Sequence, residues 1–399
     1  MLASSADRKK ILFLTPRVPY PPYKGDQAVA YHRLRTLGPH HDITLLTFVE
    51  GREDPGAEAA LRPFCQRILR VPLPKWRIGW NLLSRGAWST LPLQVIYFHS
   101  PAFQAHLRVL LAEGFDLVHA FMLRLFPYLE GIQPPVLLEC IDSMRLNMSR
   151  QAAAARGWRR WVYQEELRRL GHYESGIDAH IERAIFVSPI DAEYSGSAKA
   201  LALPLGVEVP TRQAACEGSV VVFSGNMAYA PNALAVTWFV QNCWADLRAR
   251  HPQATFRVLG GGATEDVLAL GREPGVEIRG YVPDMAEALL EADLAVAPMQ
   301  SGSGMQFKIL EAMACGLPVV TTNLGRGAIG AGPDQGLWVA DDPDAVTEAT
   351  SRLLGDPDLR CGLGGRGRAF VQAEHSWEHA GKVVEHLWSQ VLASRNTLV

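Results

Sequence analysis

Short apolar runs separated by longer stretches of helical spacing recur along the whole chain, and this alternation restricts the fold more than any other feature. Residues 11–14 (Ile-Leu-Phe-Leu), 43–48, 116–120, 136–139 and 184–187 are apolar at nearly consecutive positions. A strand with one wet face alternates apolar and polar residues; a strand covered by helices on both faces does not have to. Between the first two runs, Val29, Leu34 and Leu37 recur at helical spacing and point inward from a helix over 27–37. This pattern predicts an α/β architecture, a doubly wound parallel sheet. A second series of the same kind begins at Ser219, with strands over 220–223, 256–259, 276–278, 294–298 and 318–321 and helices over 232–250, 285–292 and 307–315.

The length of 399 residues exceeds what one core usually holds. Two domains are therefore expected, 1–205 and 206–375, joined by the Pro- and Gly-bearing stretch 203–210. Residues 376–399 form a third segment, an amphipathic helix whose inner face is Trp377, Ala380, Val383, Val384, Leu387, Trp388 and Val391. Ligands of such sheets sit at the carboxyl ends of the strands, so two hinged domains of this type face a cleft.

A formal net charge of -2 gives no overall attraction to nucleic acid, which is excluded as a partner. Six scattered cysteines (Cys65, Cys140, Cys216, Cys243, Cys315, Cys361), with no C-x-x-C pair and no His/Cys cluster, read as buried free thiols in a reducing compartment, with no metal site. Neither a secretory signal nor an apolar stretch of about 18 residues is present, which points to the cytoplasm.

The chemistry concentrates in residues 301–320, Ser-Gly-Ser-Gly-Met-Gln-Phe-Lys-Ile-Leu-Glu-Ala-Met-Ala-Cys-Gly-Leu-Pro-Val-Val. A Gly/Ser loop including Ser303 and Gly304 leaves a strand and feeds a helix near Phe307. Free amides at a helix start attract an anion, and Lys308 adds a full positive charge in the first turn. Glu311 follows at i+3 on the same face. Phosphates on Lys308 and ribose hydroxyls on Glu311 would accommodate a nucleotide diphosphate. An ordinary surface helix with a Lys–Glu pair fits the same residues.

This block, with residues 223–232 (Phe-Ser-Gly-Asn-Met-Ala-Tyr-Ala-Pro-Asn) and 280–284 (Gly-Tyr-Val-Pro-Asp), resembles the C-terminal half of the large retaining GT-B family often named glycosyl transferases group 1. The resemblance implies two Rossmann-like domains facing a cleft, with the C-terminal helix crossing back to the N-terminal domain. It further implies hexosyl transfer, with retention, from a nucleotide diphosphate sugar to a glycan or lipid-linked glycan acceptor, without metal or cofactor. In that family Glu311 matches the ribose ligand, Tyr281 and Val282 the loop at the base, and Gly225 and Asn226 the loop facing the phosphates. The first glutamate of the family's E-x7-E falls on Ser303, and no basic pair follows Gly225, so Lys308 and the loop amides carry more of the diphosphate charge. Residues 11–26 and 31–35 resemble, more narrowly, the sugar transferases that accompany exopolysaccharide and exosortase (PEP-CTERM) systems.

In the N-terminal domain His119 of Asp-Leu-Val-His-Ala-Phe121 matches the first histidine of the family's D-[VIL]-[VI]-H-x-H, whose second is replaced by Phe121. His119 is either a catalytic residue or a structural one. Asp142 is either a polar group facing the cleft or a helix cap near Ser143. Gly25, in Lys24-Gly25-Asp26, lets the backbone approach donor or acceptor, or simply precedes a helix. Two aromatic and basic stretches, 75–88 and 156–163, have the composition of segments lying on anionic membrane at the inner face, and also that of core tryptophans with solvated arginines. Two rival readings remain: a GT-B nucleotide-sugar epimerase, and a non-catalytic nucleotide-sugar-binding protein in a glycan-assembly complex.

Overall fold

The apolar runs of the N-terminal half lie side by side as parallel strands. In the computed structural model, which describes residues 8–22, 25–86, 88–174, 176–215, 218–301, 305–332 and 334–396, they are β1 (Lys10–Thr15), β2 (Asp42–Val49), β3 (Arg67–Pro72), β4 (Leu117–Phe121), β5 (Val136–Ile141), β6 (Arg183–Phe186) and β7 (Ala200–Ala202). Their order is β3-β2-β1-β4-β5-β6-β7. Ile11, Leu12, Phe13 and Leu14 of β1 are all fully buried, because helices cover both faces and every side chain of the strand meets a packed layer. The chain starts at the centre, winds outward through β2 and β3, then returns to lay β4 on the other side of β1. The order of winding therefore reverses between β1 and β4, which opens a crevice at their carboxyl ends.

The second half repeats the plan with β8 (Val220–Ser224), β9 (Thr255–Leu259), β10 (Val276–Gly280), β11 (Leu294–Ala297), β12 (Val319–Thr321) and β13 (Leu337–Val339), in the order β10-β9-β8-β11-β12-β13. Its reversal lies between β8 and β11. The expected α/β fold with two doubly wound sheets is what forms. Three edge strands, β3, β7 and β13, are not anticipated: β3 is half-exposed and interrupted by Arg67 and Arg70, and β7 and β13 are only three residues long. The helix expected over 232–250 is interrupted by a π-helical turn, Val240–Trp244, between Ala230–Phe239 and Ala245–Arg250.

The chain divides into two units: Met1–Leu205 together with Ala380–Val399, and Gly206–His379. The last helix, Trp377–Asn396, thus belongs mostly to the first unit. A side chain at Gly381 would lie 2.6 Å from Thr36 Oγ1, so glycine permits this helix to approach. Val384 and Trp388 are fully buried there, and burying each contributes roughly 1.5–3 kcal/mol. Cys65, Cys140, Cys243 and Cys315 are buried free thiols; Cys361 is a free thiol on the surface, against expectation, and Cys216 lies outside the described residues. Among the described residues no helix is long and apolar enough to cross a membrane.

Candidate active site

In the second unit, the loops following β8 and β11 flank the crevice where the strand order reverses. The chain leaves β8 at Gly225, whose φ of 154° favours glycine and where a Cβ would stand 2.6 Å from Asn232 Nδ2. The next loop presses closer still: a Cβ on Gly260 would collide with the Gly225 carbonyl oxygen, and the Met227 N–H donates to Gly261 O at 2.9 Å. Asn226 closes its own turn, its Oδ1 accepting from the Ala228 N–H at 3.0 Å. These glycines leave a wall of backbone where side chains would otherwise fill the space.

Across the crevice, the helix Phe307–Ala314 begins at Gln306 with no side-chain cap on its first amides. Such a start carries unsatisfied N–H groups and the positive end of the helix dipole. Lys308 lies half-buried in this first turn. Its Nζ donates to Asn232 Oδ1 at 2.7 Å and to Gln306 Oε1 at 3.0 Å, and lies 5.4 Å above the Phe223 ring. Both acceptors are neutral amides, so they fix the ammonium without cancelling its charge. Burial pulls its pKa down to about 8, and Glu311 opposes the shift. One turn on, Glu311 is exposed and hydrogen-bonds to no described side chain; loss of surrounding water still raises its pKa, with Lys308 pulling the other way. Tyr281, just beyond β10, is exposed, and Val282 is half-buried.

The structure thus brings Gly225, Lys308 and Glu311 to one crevice, with Asn226 in the loop beside it. Ser303 and Gly304 lie outside the described residues. Sequence reasoning missed Asn232, Gln306 and the Gly260–Gly262 loop. A run of three glycines after a strand was the available signal for the loop; nothing local announces that Asn232 meets a lysine 76 positions away.

The first unit corrects one expectation. His119 stands inside β4, opposite Phe13, and not at the strand's end. Its ring is fully buried, stacked on Phe121 at 5.0 Å and met edge-on by Trp388 at 5.7 Å. Nε2 lies 3.2 Å from Glu139 Oε2, whose carboxylate is also gripped by the buried Arg33 guanidinium at 2.9 Å. Burial holds the His119 pKa below its ordinary value. A ring enclosed in this way touches no substrate, so His119 is structural. Asp142 is exposed beyond β5, after Ile141 with its unusual φ of 67°. The helix cap falls to Ser143, which accepts from the Leu146 N–H. Burial and the nearby Asp191 raise the Asp142 pKa. Gly25 opens the helix Gly25–Leu37 of the first unit, exposed and with free space around its Cα. Among the described residues no three His, Cys, Asp or Glu converge as metal ligands.

Residues 218–356 match the family model "Glycosyl transferases group 1". The match lies wholly within the second unit and covers about a third of the chain, which is similar to this family there. A GDP-mannose-dependent monoacylated alpha-(1-6)-phosphatidylinositol monomannoside mannosyltransferase of Corynebacterium glutamicum is 34% identical over 146 residues, covering 34% of this chain and 38% of the relative. A D-inositol 3-phosphate glycosyltransferase of Corynebacterium jeikeium is 31% identical over 163 residues, covering 37% and 38%. This chain therefore spans under two fifths of each relative's length in these matches. Among solved structures, Anabaena HepE in complex with UDP superposes with a TM-score of 0.63 at 14% identity, over 96% of this chain and 100% of that one. WaaG, a glycosyltransferase involved in lipopolysaccharide biosynthesis, gives 0.55 at 15% identity over 94% and 98%. At such identities the likeness concerns the fold, which is that of the GT-B glycosyltransferases. The crevice described above lies within the residues matched by that family model.

Proposed function

We propose that the protein is a retaining hexosyltransferase that uses a nucleotide diphosphate sugar and needs no metal. The observation that carries this is Lys308: a half-buried ammonium at an uncapped helix start, fixed by two amide oxygens and facing a wall of glycine backbone. A cation held in that way is suited to a diphosphate, and more so as the phosphate gains charge on leaving. Glu311, one turn on, accepts hydrogen bonds from the ribose hydroxyls, and the loop at Tyr281 and Val282 meets the base. The bond from the anomeric carbon to the phosphate oxygen breaks, and a bond to the acceptor oxygen forms on the same face. The acceptor's proton passes to the departing phosphate, so no side-chain base is required and the enclosure of His119 costs nothing. The mannosyltransferase among the relatives makes GDP-mannose the first donor to test. Its acceptor, and the narrower resemblance of residues 11–35, favour a lipid-linked glycan acceptor in exopolysaccharide or other cell-surface polysaccharide synthesis.

A panel of GDP-, UDP-, ADP- and dTDP-sugars, assayed for binding and for slow donor hydrolysis in the presence of EDTA, tests this reading. One donor should bind and be hydrolysed. Binding without turnover for every donor would support the non-catalytic reading, and turnover restored only by added manganese would overturn metal independence.

A further inference from the structure

The tryptophans of the two aromatic and basic stretches are not core residues. In the helix Lys75–Arg85, Ile78 packs on the core of the first unit, and the buried Asn81 donates to His99 O at 2.8 Å. The opposite side presents Trp76, Trp80 and Leu83 at i, i+4 and i+7, a single stripe along the helix. With Trp88, and with Trp158 and Trp161 of the helix Trp158–Glu174, these side chains are between 65% and 89% exposed. The second helix grips the chain where the first ends: the Glu166 carboxylate accepts from the Leu93 and Gln94 N–H groups, and Arg169 donates to Gly86 O and Leu91 O. Its first turn stands in solvent, with every residue from 156 to 161 exposed. Apolar surface of this extent on a water-soluble face marks an interaction site.

Charge identifies the partner. No aspartate or glutamate occurs from residue 59 to 112 or from 143 to 164, although the whole chain contains 41 of them. Lys75, Arg77 and Arg85 accompany the first helix; Arg156, Arg159 and Arg160 surround the second. A face so uniformly positive repels a second copy of itself. It attracts an anionic bilayer, where indole rings settle at headgroup depth and arginines reach lipid phosphates.

We infer that the first unit docks on an anionic lipid surface through the stripe Trp76–Trp80–Leu83 with Trp88 and through the projecting turn at Trp158 and Trp161. This deepens the proposed function, since a lipid-linked acceptor is reached from such a surface, but its test is separate from donor chemistry. The full chain is floated with vesicles of phosphatidylcholine alone or with about 30 mol% phosphatidylglycerol, at roughly 0.05 and 0.5 M salt. Brominated phosphatidylcholine, which quenches indole fluorescence at defined depth, is added in parallel. Flotation with anionic vesicles at low salt, quenching by the bromolipid and a marked loss at high salt are expected. Trp76→Ser with Trp80→Ser should weaken binding about tenfold. Replacing Arg156, Arg159 and Arg160 together by Gln should cost about fivefold for each charge, on anionic vesicles alone. Donor hydrolysis without vesicles should be unchanged in both variants, so a failure of docking is distinguishable from a failure of the glycosyltransferase reading. A protein that stays unfloated at low salt overturns the inference. So does flotation without quenching and unaffected by the Trp changes, or a concentration-dependent dimer that those changes abolish.

Discussion

In the first unit a cation and a carboxylate meet in the interior: Arg33 and Glu139 are both fully buried, 2.9 Å apart, with His119 against the same carboxylate. In the second unit the cation Lys308 is held by amides at the rim of a crevice, and its nearest carboxylate in sequence, Glu311, is exposed one turn away. The two sheets have the same winding, so the difference lies in what is placed against them. A buried pair cancels its own charge and leaves nothing for a ligand, while desolvation offsets much of the attraction. A cation held by neutral groups keeps its charge available. The resulting rule is that a conspicuous ionisable residue near a strand end marks a site only if its partners leave it unneutralised.

The comparison breaks most visibly in stability. Glu139→Ala should lower the unfolding free energy by about 3–5 kcal/mol, because Arg33 is left buried without its partner. Urea denaturation measures this, and the double change Arg33→Met with Glu139→Leu should recover most of the loss. A single-variant loss below about 1 kcal/mol would mean the pair is not insulated from water. The Glu139 pKa is held at about 2: burial alone would raise it, but Arg33 and then His119 overcome that effect. A depressed carboxylate stabilises the fold above its ordinary, unfolded pKa, and that contribution is lost as pH falls toward about 2. Acid unfolding of the first unit should therefore begin below the ordinary carboxylate range and shift upward in the variant.

Lys308→Met should leave stability nearly unchanged and reduce turnover by about 100- to 1,000-fold, the usual cost of removing one donor to developing negative charge. Steady-state kinetics decide the matter. A raised KM with intact kcat would make Lys308 a ground-state ligand only.

Much of this contrast was legible before the fold was known, and the illegible part has a physical cause. Strands such as β1 and β4 declare themselves because burial on both faces demands consecutive apolar residues. β3 does not, being a half-exposed edge strand with Arg67 and Arg70 in it, and β7 and β13 are apolar edge strands of three residues, too short to stand out from other brief apolar runs. Gly225, Lys308 and Glu311 stand in local motifs whose spacing already implies a phosphate-facing helix start. His119 stood in an equally suggestive motif, yet it is buried against Trp388 and against Glu139, whose own partner Arg33 lies 106 positions earlier. Contacts of that separation leave no periodic trace. The same holds for Asn232, which aims the lysine.

Glu311→Ala should weaken binding of the nucleoside diphosphate by about 1.5–3 kcal/mol, the value of hydrogen bonds to a charged group. Calorimetry with the free nucleotide suffices. Unchanged affinity in a folded protein would remove the ribose role and leave Glu311 as a carboxylate that merely accompanies Lys308.

The smallest effect is also the sharpest test of an unneutralised lysine. With its pKa brought down to about 8 by burial, Lys308 loses its proton as pH rises through that value, and the charge on which the leaving phosphate depends goes with it. The profile of kcat/KM reports the free enzyme and should bend downward near pH 8, falling about tenfold per unit above it. Bound diphosphate places negative charge beside the ammonium and favours its protonated form, so the corresponding bend in kcat should lie at higher pH. Arg33, paired and enclosed, contributes no such limb. Lys308→Arg supplies the control: a guanidinium stays charged throughout this range, so the alkaline limb should vanish even if the rate is lower. A limb that persists in that variant belongs to another group, and Lys308 would then resemble Arg33 more closely than the geometry indicates.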